Sequence, residues 1–360
     1  MSKIKSDNSD ITIDASGSGR NIKFQANGVE KASISSAGAF TSTTIDATKL
    51  TGDLPAISAA SLTNVPKDVT VGGRKNLIIN GDMKINQRGS VNTANAGNEY
   101  TLDRWQTYIR GGALTTVSKD SDVPSGQGFG SSLKIDVTTA DAFGTSNDLA
   151  LLRTAFEGQD LQQLASGTSS AKAVTLSFWV KSTITGTYIA MLENYDTSNR
   201  FNSVAYTVNT SNTWEKKTIT FAGDTSGGFN NDNGPSLEVR FWLGAGTNYT
   251  TGTLPSGWAA DVNANKGVGQ VNSLSSTSNN IYFTGVQLEL GSTATDFEHR
   301  SYGEELALCQ RYYYHSGYNG GTSYGGGSLC FVAFNASEAA GTNLFPVTMR
   351  ASPTVNLKDA

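Results

Sequence analysis

Apolar and polar side chains alternate along six runs of the chain. They are residues 131–137, 174–181, 187–192, 217–221, 237–243 and 281–290. A period of two sends one face of a strand inward and the other outward. Leu176, Phe178 and Val180 point one way and Trp179 the other. Val239, Phe241 and Leu243 likewise oppose Trp242. Gly, Ser, Asn and Thr separate the runs, and no long helical pattern intervenes. This order predicts an all-β chain whose centre, residues 75–300, is an antiparallel sandwich of the jelly-roll kind rather than an α/β fold. Residues 149–164 have mixed spacing and read as a short helix or a turn.

The flanks read differently. In residues 1–45, Ile11 and Ile13, then Ile22 and Phe24, lie two apart, with Gly17, Gly19, Gly28 and Gly38 breaking the runs. These are short strands in a module too small to bury a core alone. In residues 46–74, Leu50-Thr51-Gly52 recurs as Leu62-Thr63-Asn64 after twelve residues. Single, widely spaced apolar residues there suit an extended stem in which three copies bury one apolar strip, or else a plain linker. Residues 301–316 carry a short helix. Ser301 and Glu304 fit a capping box, and Glu304, Glu305 and Arg311 suit the helix dipole. In residues 317–360 a Gly- and Tyr-rich loop precedes strand-like runs at 329–334 and 343–349. Nothing caps the final extended segment, which predicts that the chain continues in something longer.

Composition narrows the class. The net charge is −4, only 16% of residues are charged, and no Lys/Arg cluster appears. That excludes a nucleic-acid surface. No apolar run is long enough to span a bilayer, so no membrane insertion is expected. Met1–Asp7 has no apolar core of a secretory signal. Cys309 and Cys330, the two cysteines, read as packed thiols or as one disulfide between the C-terminal helix and the next strand.

The run Asn76–Gly89 (NLIINGDMKINQRG), with Asp103-Arg104-Trp105 downstream, resembles the receptor-binding region of bacteriophage tail fibre proteins. So does Gly285–Glu298 (GVQLELGSTATDFE) with its continuation through Tyr313. Leu50–Ile57 is similar to phage fibre stems. The resemblance implies a homotrimeric fibre subunit of the virion, assembled in the host cytoplasm. Its N-terminal part would face other tail proteins. Its sandwich would be like a carbohydrate-binding module that recognises a host surface glycan. The opening strand and the closing Gln-Leu-Glu strand are then expected side by side. A purely structural shaft or adaptor is the alternative, and a polysaccharide depolymerase a third.

Candidate chemistry follows from side chains. If the alternating apolar sets face the core, Trp179 and Trp242 lie on outer faces, where indoles stack on sugar C–H groups. The competing reading has each covered by a second layer or a subunit contact. Trp258, in a Gly- and Asn-rich loop, is a further glycan candidate, whereas Trp105 and Trp214 read as structural. Asn80, Asp82 and Glu289 are candidate ligands for a structural Ca²⁺, against turn chemistry at Asn80-Gly81. No other cofactor is expected. No catalytic residues are assigned: two histidines and no G-x-S-x-G elbow leave no Ser-His-Asp set, and no carboxylate pair is marked for glycoside cleavage.

Overall fold

The computed structural model describes residues 21–35, 37, 40–42, 74–89, 91–93, 97–197, 199–315, 331–333, 339–341 and 344–355. The predicted stem, apart from Arg74, lies outside these residues, as do Ile11, Ile13 and Cys330. The chain divides into two units, Met1–Val69 and Thr70–Ala360.

In the first unit, β1 (Ile22–Ala26), β2 (Val29–Ile34) and β3 (Phe40–Ser42) form an antiparallel meander. Phe24 is 44% and Val29 55% exposed, as a module without its own core requires.

In the second unit the strands are β4 (Val91–Thr93), β5 (Gly97–Tyr100), β6 (Gln106–Arg110), β7 (Leu114–Asp120) and β8 (Ser132–Thr139). They continue as β9 (Leu149–Glu157), β10 (Val174–Ser182), β11 (Gly186–Asn194), β12 (Arg200–Val208) and β13 (Glu215–Phe221). Then come β14 (Pro235–Ala245), β15 (Ala259–Ala260), β16 (Asn280–Leu290), β17 (Phe331–Ala333) and β18 (Ala339–Gly341). A six-stranded sheet has the order β13-β10-β16-β8-β7-β4, and a seven-stranded sheet the order β15-β12-β11-β14-β9-β6-β5. Their strand pairs are antiparallel. The sheets face each other across one core, where Phe178, Phe241 and Phe283 interlock with Tyr206 and Trp105. Each buried aromatic or aliphatic side chain of this kind contributes about 1.5–3 kcal/mol.

The alternating runs are strands with the predicted inward sets. Residues 149–164 are different: Leu149–Glu157 is a full strand, followed by a 3₁₀ turn at Gly158–Leu164. Alternation fails there because both faces are covered. Ala150 and Leu152 enter the main core, whereas Leu149 and Leu151 enter a second cluster outside the sheet. Residues 344–349 are not a strand. Pro346 has no N–H to donate to a ladder, and Leu344 is 82% exposed.

The opening and closing segments lie side by side, as expected. Leu77 N–H donates to Leu288 O at 2.9 Å, and Val286 N–H to Gly81 O at 2.9 Å. A Cβ on Gly81 would stand 2.1 Å from Val286 O, so only glycine allows this approach. The Asn76 amide stitches the pair, donating to Val286 O at 3.2 Å and accepting from Ile78 and Leu288. Arg300, 8% exposed, donates to Ile78 O and Asn76 O and pairs with Glu305.

The helix α1 (Thr247–Thr250) lies in the 246–273 segment, and α2 (Tyr302–Gln310) follows the sandwich. Ser301 caps α2 by accepting from Glu304 N–H at 3.3 Å, while the Glu304 carboxylate pairs with Arg74 at 2.6 Å. Arg311 stands one residue past the helix and reaches Glu157. Cys309 is a buried free thiol.

Candidate functional site

The outer face of the seven-stranded sheet carries an unusual set of charges. On β14 the inward Leu237, Val239 and Phe241 alternate with the outward Glu238 and Arg240. Register places Glu193 of β11 opposite Glu238, and Arg153 of β9 opposite Arg240. Like charges directly opposite each other destabilise a sheet. Here diagonal pairs relieve them. Both Glu238 oxygens accept from Arg153 at 3.1 Å, and Arg240 Nε reaches Glu238 at 2.7 Å. Arg240 also pairs with Glu193, whose second oxygen holds Lys266 at 3.0 Å. Lys266 bridges on to Asp261 at 2.5 Å. The Tyr195 hydroxyl donates to Glu238 at 2.8 Å, and Arg153 Nη2 to Asn98 at 2.6 Å.

Burial pushes the Glu238 carboxyl up to about 7 despite the Arg153 charge beside it. It also raises Glu193 and lowers Arg240 to about 9. A buried ionic cluster adds little to stability relative to apolar packing. Perturbed groups gathered on one face instead mark a candidate functional site. The face divides in two. Toward α1, Trp242, Ile189, Met191, Phe201 and Tyr249 form the second apolar cluster. Toward β6, Tyr108, Gln106, Arg153, Arg240 and Tyr195 remain half-buried. That open half offers aromatic rings beside fixed donors and acceptors, the means of holding a polyhydroxylated ligand.

The tryptophans separate. Trp242 is 1% exposed beneath the 246–273 segment, its ring tilted 52° against that of Tyr249 with centroids 5.4 Å apart. It points outward from its strand as predicted but is covered by a second layer, so it offers no stacking face. Trp179 is half-buried on the outer face of the six-stranded sheet, opposite Lys216 and Thr284. Trp258 is half-buried and donates to Ala222 O at 2.7 Å. Near it lies a cleft of about 380 Å³ between β12 and β13, closed by residues 254–257. Trp105 is fully buried, and Trp214 donates to Asp122 at 2.9 Å.

The candidate Ca²⁺ ligands Asn80, Asp82 and Glu289 each have a partner within the protein. The Asn80 oxygen accepts from Ile85 N–H, as a turn requires, and Asp82 pairs with Lys84 at 2.8 Å. Glu289 accepts from Gln287 and Thr295. Among the described residues no three His, Cys, Asp or Glu side chains gather as a metal site would need.

The charged face is not evident in local sequence, because strand register rather than chain order brings Arg153, Glu193, Glu238 and Arg240 together. A signal was present: Glu238 and Arg240 occupy outward positions of a strand whose inward positions are all apolar.

No family model matches the chain, and no curated protein matches it. Among solved structures, the enzymatically active domain of tailspike protein 4 of bacteriophage CBA120 aligns at a TM-score of 0.33 and 16% identity. That alignment covers 60% of this chain and 21% of the tailspike. A family 4 carbohydrate-binding module aligns at 0.29 and 17% identity, covering 59% of this chain and 97% of the module. The C-terminal family 22 carbohydrate-binding module of Clostridium thermocellum Xyn10B aligns at 0.31 and 14% identity, covering 55% and 92%.

Proposed function

We propose that the chain is a bacteriophage tail-fibre subunit that binds a host surface glycan during adsorption and does not cleave it. It acts as a homotrimer mounted on other tail proteins through its N-terminal part. Its glycan surface is the open half of the outer face of the seven-stranded sheet. The observation behind this reading is the set of Tyr108, Arg153, Arg240 and Tyr195, partly buried above a buried Glu238. Rings supply apolar faces, and locked guanidinium and carboxylate groups supply hydrogen bonds whose geometry is fixed before binding. The carboxylates of this face are held by Arg and Lys, which favours a binding role over cleavage. Three copies would convert a weak, shallow site into avid attachment.

Host-cell binding by Tyr108→Ala and Arg153→Gln variants tests the face. Each is expected to weaken binding by about tenfold or more, roughly 1.4 kcal/mol per tenfold, with the circular dichroism spectrum unchanged. Unchanged binding by both variants would overturn the assignment. Light scattering of the purified chain should give three subunits. Incubation with host polysaccharide should release no reducing ends.

A further inference from the structure

A second site lies away from the charged sheet face. It is a cavity of about 210 Å³ between the opening segment, β5 and the C-terminal end of α2. Three arginines, Arg88, Arg104 and Arg350, line it with one acidic residue, Asp103; the Arg350 guanidinium also donates to Asn233 O at 2.9 Å. The Asp103 carboxylate is already committed: Gln87 donates to it from its backbone at 2.7 Å and from its side chain at 2.6 Å. With three arginines to one carboxylate, the cavity wall carries net positive charge.

Aromatic rings hold two of the guanidinium groups in place. Arg88 lies 3.5 Å over the Tyr313 ring and 5.3 Å from that of Tyr100. Arg104 lies 3.5 Å over Tyr312, whose hydroxyl is tied to Glu157 at 2.5 Å. Stacking uses the faces of the guanidinium planes and leaves their edges for hydrogen bonds. Those edges are not fully used. Arg104 is 9% exposed, and its Nε has no hydrogen-bond partner. Among the described residues Arg88 Nη1 is likewise buried without a hydrogen bond, although it forms a longer ion pair with Asp103 at 3.7 Å. A buried N–H left unpaired costs about 1–3 kcal/mol, more when charged. Two such donors beside one cationic cavity call for an acceptor that carries negative charge.

We propose that this cavity binds an oxyanion, the carboxylate or phosphate of an acidic glycan substituent. The choice of a glycan as bearer rests on the function proposed above; the oxyanion chemistry does not. The volume admits the anionic group with the edge of one sugar ring. An acidic substituent would give the fibre a second contact that tells charged from neutral polysaccharides.

The test is titration calorimetry of the full chain with D-glucuronate, inorganic phosphate and neutral methyl glucoside, at low and high salt. Saturable, salt-sensitive binding of glucuronate or phosphate, with none of the glucoside, is expected. Glucuronate alone would identify a uronic acid as the source, and phosphate alone a phosphorylated sugar. Arg104→Gln and the milder Arg350→Gln should each weaken the anion by about tenfold, roughly 1.4 kcal/mol. Tyr108→Ala on the sheet face should leave anion binding unchanged, so failure there would not touch this site. No saturable binding of either anion by the wild-type chain would overturn the proposal. So would full affinity in both arginine variants.

Discussion

Glu157 joins the sandwich to the residues that follow α2, and its removal has a calculable effect. The side chain is 2% exposed. It accepts from Arg311 Nε at 2.8 Å and Nη2 at 2.7 Å, and from the Gln159 amide at 2.7 Å. A fully exposed ion pair contributes at most about 1 kcal/mol. Breaking a buried one costs about 3–5 kcal/mol. Arg311 is 28% exposed, so this pair falls between those limits, at about 2 kcal/mol. Glu157→Gln keeps the shape and removes the charge. For a unit of this size it should lower Tm by about 4–8 °C, at roughly 2–4 °C per kcal/mol.

The pH dependence has a definite sign. Burial raises the Glu157 carboxyl, but the bonds from Arg311 and Tyr312 outweigh it and hold the group below its ordinary value. The stabilisation is then complete above the unfolded value of about 4.3 and fades as pH falls through the folded one. Urea melts followed by tryptophan fluorescence, on Glu157→Gln, Arg311→Met and the double variant, isolate the coupling. A coupling below about 0.5 kcal/mol, the spread expected between independent sites, would refute the reasoning.

Other outcomes are equally specific. Trp242→Ala should cost about 3–5 kcal/mol by opening a cavity in the second apolar cluster, with glycan affinity preserved in the fraction that stays folded; urea melts and host-cell binding check both parts. Gly81→Ala should prevent the close approach to Val286 and leave little folded chain, as circular dichroism would show. Glu215 is raised by burial, but bonds from Lys217, Thr210 and Asn209 bring it to about 2, so an NMR titration should place its midpoint near there. Its contribution should persist above the unfolded value of about 4.3 and disappear as pH falls toward 2. Burial and nearby carboxylates push the Cys309 thiol up, so a thiol reagent should label the Cys309 peptide only in denaturant.

The two-residue period made the sandwich legible wherever one strand face was buried. Phe178 and Phe241 could be assigned inward because apolar residues recur at every second position around them. The period misled at Leu149–Leu152, where a second layer buries both faces and erases the alternation. Short strands such as β4 and β5 escaped because three or four residues cannot show a period. The resemblance of Asn76–Gly89 and Gly285–Tyr313 to tail-fibre sequences carried the adjacency of entry and exit, which hydrogen bonds now account for. The candidate site was less legible. Whether an outward Trp is open or roofed depends on what the 246–273 segment packs against, and nothing local to Trp242 encodes that. Nor does local sequence bring Arg88, Arg104 and Arg350 to one cavity.

The meeting of entry and exit has a mechanical consequence. The pairing runs antiparallel, so the chain enters and leaves the sandwich at one end. Lys75 and Asn76 N–H groups both donate to Glu298, at 2.9 and 2.6 Å, and Lys75 Nζ reaches Thr295 at 2.7 Å. Tension applied through residues 74 and 301 therefore meets the Lys75 and Asn76 bonds to Glu298 and the pairing with β16 first. While this clasp holds, force applied between those two points is carried across it rather than through the rest of the sandwich.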